Sequence, residues 1–470
     1  MRILYLPLDS RPCNYLWPQR LLFATEHEIV APPAEIMDYF RRPADTEKLQ
    51  AFIREKLPHV DAAAVSAEML LYGGILASRT PETSLEIAIG RLEILKEVAL
   101  RVPVHAFGLI MRSSISAFCQ GDLKAYNLMT EYSVAWGKTW QAGEDTAKVD
   151  EKYASLLPER ILSAYRRVRK RNHAVNLKLL ELKKDGILSS LMLLQEDAQE
   201  YGFHRREQAE LTGYISENRL KDTFMHSGAD ESGMMACLRA LGPSPLPVGI
   251  RYTSGDGSFV ARYEDRPFRE NLDSCMKYLN LFSDPGAPMR LVIHAPESEQ
   301  GEAAWQPAVP SEDIDLLEKA LSVPCYLLDV EFANGGSLYL LKRLRDKGLI
   351  SGLLGYSGWN TSVNSMGTML ALIRADALSG QPNPAFKWER LLDDLLYESV
   401  IRQKAAQILA GRGEDAYSLK DKPAAEALIN TLLSEALEDG WGDAMKKEGF
   451  TRAEYTLPWD RLFECDVKLS

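Results

Sequence analysis

The 470-residue chain is 46% hydrophobic and 26% charged, an ordinary globular mixture that excludes a disordered, collagenous or disulfide-stapled protein. Its formal net charge of −11 disfavours nucleic acid and anionic membrane as partners, and its length asks for one large α/β core with additions or for two to three domains. No window approaches the roughly 18 apolar residues of a spanning helix, and Asp9 and Arg11 break the apolar start too soon for a secretory leader, so a cytoplasmic location is expected.

Short apolar runs alternate with amphipathic segments along most of the chain, the pattern of repeated βα units on a parallel sheet. Strands are predicted over residues 3–8, 28–31, 62–69 and 104–111, with helices over 45–57 and 84–100. Residues 122–185 carry no strand pattern and read as two or three long helices inserted as a cap or lid. Strands follow over 191–194, 223–226, 247–252, 291–294, 325–330 and 353–356, with helices over 204–220, 268–282 and 312–321. After Gly380, Pro382 and Pro384 the pattern is helical to the end, which divides the chain into an α/β core, 1–380, and a C-terminal helical region, 381–470. The expected fold is a parallel (β/α)8-barrel-like core with extra βα units. Ten units exceed the eight of a closed barrel, and two doubly wound lobes are the alternative.

Cys13, Cys119, Cys237, Cys275, Cys325 and Cys465 form no CxxC pair and the seven histidines are scattered, so no zinc or redox site is signalled and reduced thiols are expected. Neither a phosphate-binding P-loop nor GxGxxG is present; no cofactor and no metal are expected.

Ligands of α/β proteins sit at the carboxyl ends of parallel strands, so the polar residues there are the candidates. Strand 191–194 runs into Glu196 and Asp197, two adjacent carboxylates suited to orienting a substrate and donating a proton. Asp9, Arg11, Glu68 and Arg79 stand at or near other tips, and Asp230 and Glu231 form a second acidic pair in which Asp230 also has the form of an N-cap. Tyr356, Trp359 and Asn360 offer flat faces and amide groups for a sugar, or else an aromatic pair buried beside a capped helix. The basic run 166–176 is read either as a solvated helix face or as Arg169, Arg171, Asn172 and Asn176 reaching over the tips.

Six segments together resemble a bacterial family of proteins of unknown function, number 4127: Pro7-Leu-Asp-Ser-Arg-Pro-Cys-Asn14, residues 68–79, 169–176 and 195–202, Gly228-Ala-Asp-Glu231 and Tyr356-Ser-Gly-Trp-Asn-Thr361. The resemblance supplies no reaction, and it departs at Asp9-Ser10 and Glu196-Asp197, where paired aspartates are expected. The carboxylate pair with a Trp-Asn loop is more loosely similar, in pattern alone, to retaining N-acetylhexosaminidases that use the substrate's acetamido group as nucleophile.

The leading expectation is a glycoside hydrolase for an N-acetylhexosamine, with Glu196 orienting, Asp197 as general acid/base, and Asp9, Arg11, Glu68, Arg79, Asp230, Glu231, Tyr356, Trp359 and Asn360 binding substrate. Its partner is a small carbohydrate, and self-association is left open. The alternatives are a lyase or isomerase holding an anion on Arg11, Arg79, Arg112 and Arg251, or a non-catalytic sugar binder.

Overall fold

The computed structural model describes residues 1–113, 122–307, 321 and 323–470, which divide into two compact units. The first unit comprises Met1–Ser10, His27–Pro243 and Tyr263–Arg266. The second comprises Arg11–Glu26, Ser244–Arg262 and Pro267–Ser470.

The first unit is built on β1 (Arg2–Leu6), β2 (Glu28–Val30), β3 (Ala62–Ser66), β4 (Val104–Ile110), β5 (Ser190–Gln195) and β6 (Thr223–Ser227). All pair in parallel, in the order β2-β1-β3-β4-β5-β6. Strands β3, β4 and β5 are buried along their whole length, as the near-continuous apolar runs of a doubly covered parallel sheet require. The second unit holds β7 (Leu246–Tyr252), β8 (Leu281–Ser283), β9 (Arg290–His294), β10 (Cys325–Asp329) and β11 (Leu353–Ser357). These are parallel too, in the order β11-β10-β9-β7-β8.

Both sheets are open, which corrects the barrel-like core: the chain makes two doubly wound sheets. In each, the first strand is flanked by the second on one side and the third on the other, so the winding reverses once, at β1 and at β7. Such a reversal opens a crevice beyond the carboxyl ends of β1 and β3, and of β7 and β9.

All ten predicted strands are present, with two local differences. The third stops at Ser66, whose hydroxyl accepts the Met69 N–H and starts a buried apolar helix, Ala67–Tyr72, in place of the expected strand end. An apolar run of that length has no period that separates strand from helix. Strand β8 was hidden in the predicted helix 268–282; the helix ends at Tyr278, and Asn280, at φ 56°, turns the chain into the sheet. Among the described residues, the insertion between β4 and β5 holds three helices, Leu123–Gln141, Ala147–Leu156 and Glu159–Lys184, around a core that includes Tyr132, Trp136, Tyr153 and Tyr165. The expected helix 312–321 falls outside the described residues except for Leu321.

Residues 381–470 share one core with the second sheet: Trp388, Leu391, Tyr397 and Tyr455 cluster with Leu327, Leu353 and Tyr356. The region is not helical to its end, because Ala453–Thr456 and Asp466–Leu469 pair as antiparallel strands. The five described cysteines are free and buried. Among the described residues no helix is long and apolar enough to cross a membrane.

Candidate functional site

In the first unit the tips of β3, β4 and β5 bring Glu68, Arg79, Arg112, Glu196 and Asp197 into one charged cluster. Glu68 lies in the first turn after β3. Its Oε1 accepts the Leu109 N–H at 2.8 Å, while Oε2 is buried with no hydrogen-bond partner among the described residues. Glu196, on the first residue after β5, is 4% exposed and meets Arg79 Nη2 through its Oε2 at 3.0 Å. Asp197 pairs with Arg112 and is the more exposed carboxylate, with 39% of its side chain reaching solvent.

Burial, assisted by the nearby charge of Glu196, pushes the Glu68 carboxyl up to about 7. The charge count gives the reason. With Glu68 neutral, two carboxylates balance two guanidiniums; ionising it adds an uncompensated charge in a buried place. Burial also lowers the Arg79 pKa, against the pull of Glu196.

The loops carrying these arginines are held from behind. Gly73 and Gly74 adopt φ of 82° and 123°, and a Cβ at Gly73 would stand 2.6 Å from the Ala44 carbonyl oxygen, so the turn leading to Arg79 needs glycine. Arg171 donates to the carbonyls of Thr80 and Thr83 at 2.8 and 2.9 Å, and Asn172 to that of Ser78 at 3.0 Å. Arg169 donates to the Arg112 carbonyl at 3.0 Å and pairs with Glu207 at 2.8 Å, while Asn176 donates to the Leu109 carbonyl at 2.9 Å. Each reading of the basic run holds for part of it: Arg166, Arg167 and Lys170 are exposed, and the four just described reach β4 and the segments that follow β3 and β4. Arg169, Arg171, Asn172 and Asn176 are buried braces that supply donors to backbone carbonyls, chiefly those of the segment 78–83 and of the end of β4.

Asp197 opens on a cleft of about 360 Å³, walled by Tyr126, Asn127 and Thr130 from the inserted helix and by Gln199 and Tyr263. Asp9 and Asp230 are buried in the same unit, Asp9 just beyond β1 and Asp230 beyond β6. The N-cap of the following helix is Glu231, without a side-chain capping bond, so Asp230 is not the cap. Glu231 folds back to accept the Ala229 N–H at 3.0 Å.

Arg11, Tyr356, Trp359 and Asn360 belong to the second unit. Tyr356 is fully buried and donates its hydroxyl to Asp329 Oδ2 at 3.1 Å. Trp359 packs edge-on against Trp17, with centroids 4.7 Å apart, and donates Nε1 to Thr368. Thr361 and Asn364 form the capping box of helix Ser362–Ser379. Tyr356 thus belongs to the core beside a capped helix, as the alternative reading has it, while Trp359 and Asn360 line a pocket. Of the four arginines of the anion-binding alternative, Arg79 and Arg112 are engaged by carboxylates in the first unit, and Arg11 and Arg251 belong to the second, where Arg251 is exposed.

Arg11, Trp359 and Asn360 do meet, in a second-unit pocket that also takes in Trp17, Asp393 and Glu398. The two carboxylates come from Leu391–Ile401, a segment wound as a π-helix. Residues five apart stand about 140° from each other around an α-helix but nearly in line when the ladder runs i to i+5, so this winding brings Asp393 and Glu398 to one side. Burial raises both carboxyls, Glu398 well above the usual carboxylate range. At the tips of β9 and β10, His294 Nδ1 is 2.9 Å from Asp329 Oδ1 and Nε2 is 3.4 Å from Glu331.

A family model described as "protein of unknown function (DUF4127)" matches residues 3–468. The chain belongs to that family. No curated protein and no solved structure matches it, N-acetylhexosaminidases included.

The residues missed in the sequence are Asp393, Asp394 and Glu398. Their signal is three acids within the otherwise apolar run 391–401, where a carboxylate cannot face water without turning leucines outward.

Proposed function

We propose that the protein is a glycoside hydrolase whose acid–base centre is the carboxylate–guanidinium cluster at the tips of β3, β4 and β5. The observation that carries this reading is the unequal environment of neighbouring carboxyls. Glu68 is buried with one oxygen unpartnered and holds its proton to about pH 7, while Asp197 faces a cleft and Glu196 is fixed by Arg79. Neighbouring carboxyls in unlike environments are what acid–base cleavage of a glycosidic bond draws on. The cleft walls, two tyrosines with amide and hydroxyl side chains, suit a sugar ring and its hydroxyls.

Asp197 is the general acid/base in this reading. Glu68 keeps its own proton up to about pH 7, and the catalytic proton reaches Asp197 from water in the cleft. On an N-acetylhexosaminide that proton passes to the leaving oxygen as its bond to the anomeric carbon breaks. The acetamido oxygen bonds to that carbon, and Glu196 offsets the positive charge that develops. Water then attacks the anomeric carbon, returns a proton to Asp197 and restores the acetamido group.

The test is hydrolysis of aryl β-glycosides, including N-acetylglucosaminide and N-acetylgalactosaminide, by wild type and by Asp197→Asn and Glu196→Gln. Turnover of an N-acetyl substrate that both substitutions abolish is expected. Turnover of another glycoside alone keeps the class and removes the acetamido step; silence across the panel defeats the reading.

A further inference from the structure

We propose that the second unit carries a ligand subsite of its own: the pocket of Trp17, Asn334, Trp359, Asn360, Asp393 and Glu398 accepts the hydroxyl-bearing end of a small uncharged polyol. The first-unit cluster has no part in this site, and the two readings stand or fall separately.

Three observations carry it. The first is the lining, which alternates ring faces with groups that both donate and accept hydrogen bonds. Asn334 and Asn360 occupy left-handed backbone at φ 60° and 49°, and the Asn334 N–H donates to the Asn360 carbonyl at 2.8 Å, so two strained asparagines are tied together on one wall. The second is a donor without an acceptor. Trp17 is 2% exposed, lines the pocket, and its Nε1 has no hydrogen-bond partner among the described residues. A buried N–H left unpaired is costly, and a ligand oxygen would satisfy it. The third is the winding of Leu391–Ile401, which aims two carboxyls five residues apart at the same space.

Charge and size narrow the ligand. Arg390 pairs with Asp393 at 3.0 Å, Arg402 with Glu398, and Arg461 at 2.8 Å with Glu464, a third acid of the lining, so the acids are compensated and a cation gains little; Arg11 on the same wall makes an anion the charged competitor. The enclosed space is about 20 Å³, room for about one water-sized group, so a hydroxymethyl end fits and a whole ring does not.

The experiment is a ligand-observed NMR titration of the full-length chain carrying Asp197→Asn, which stops turnover at the cleft. The probes are glycerol and ethylene glycol, with acetate and methylammonium as charged probes of similar size. Saturable binding of the polyols is expected, weakened about five- to tenfold by Trp17→Phe, which keeps a ring and removes only the N–H. Binding that ignores Trp17→Phe, preference for a charged probe, or no saturable polyol binding overturns the proposal. Thermal unfolding of each variant, matched to the parent, ensures that a lost signal reports the pocket.

Discussion

The two sheets wind alike, yet their ends carry different chemistry. In the first unit the tips of β3 to β5 hold ion pairs, Arg79 with Glu196 and Arg112 with Asp197, around the neutral Glu68. In the second, two of the pocket acids stand on the segment 391–401, outside the sheet, and face inward because that segment is π-wound. A doubly wound sheet thus delivers positions; the elements laid against it decide what stands there. In the first unit that element is the insertion, which lends the cleft wall and the bracing arginines. In the second it is the C-terminal region, which lends the acids.

The sharpest way to break this contrast is at Asp197. Replacing it with Asn should lower kcat for a cleaved glycoside by about 10²- to 10⁴-fold, the usual worth of a positioned acid/base, measured under saturating substrate. A change of less than about threefold would remove Asp197 from the chemistry and leave the first-unit cluster as structure only.

Buried guanidiniums probe the supporting elements next. Arg169→Ala strands Glu207 and frees the Arg112 carbonyl, and Arg390→Ala strands Asp393 and Asp394. Each should cost about 3–5 kcal/mol, the penalty for an unpaired buried charge. Urea unfolding with limited proteolysis would read it, with early cleavage within the first unit for Arg169→Ala and the second for Arg390→Ala. Cleavage in the same unit for both would erase the distinction.

Glu68 gives the units a pH signature. Its folded pKa of about 7 exceeds the ordinary 4.5, so the folded state binds the extra proton between those values. Stability from this group is full below about pH 4.5, falls as pH rises, and is lost above about 7, a total of about 3 kcal/mol. Glu68→Gln should flatten that slope in denaturation curves taken from pH 4.5 to 8. Asp394 and Asp376 in the second unit, likewise raised to about 7 by burial, would keep their own share of it. An unchanged slope would mean that Glu68 ionises freely.

The smallest effect is expected at Thr361. Thr361→Ala deletes half of a capping box and should cost about 1 kcal/mol in denaturant midpoint, with no change in hydrolysis. A large loss of activity there would put the Tyr356–Asn364 segment back into the chemistry.

Much of this was legible in the chain. The tips were located because a buried parallel strand leaves a plain apolar run, and Glu196 and Asp197 stood out as acids where such a run ends. Glu68 was found as a tip residue, although Ser66 starts a helix there and gives its carboxyl a different outlook. Tyr356 went to the core and Trp359 to a pocket wall, a division hidden because an aromatic residue reads the same in sequence whether it faces a ligand or a core. The bracing roles of Arg169 and Arg171 were hidden for a related reason: their partners are backbone carbonyls, which leave no mark in the sequence.

By itself the sequence determined the α/β class, ten of the parallel strands, the helical insertion and the family, all of which follow from local periodicity or from short motifs. Tertiary structure alone decided that two open sheets form in place of a barrel, since closure depends on which distant strands exchange hydrogen bonds. It also decided which charged groups share a site. Ion pairs such as Arg79 with Glu196, 117 residues apart, are chosen by packing, and so are the burial and neighbouring charge that fix the proton on Glu68.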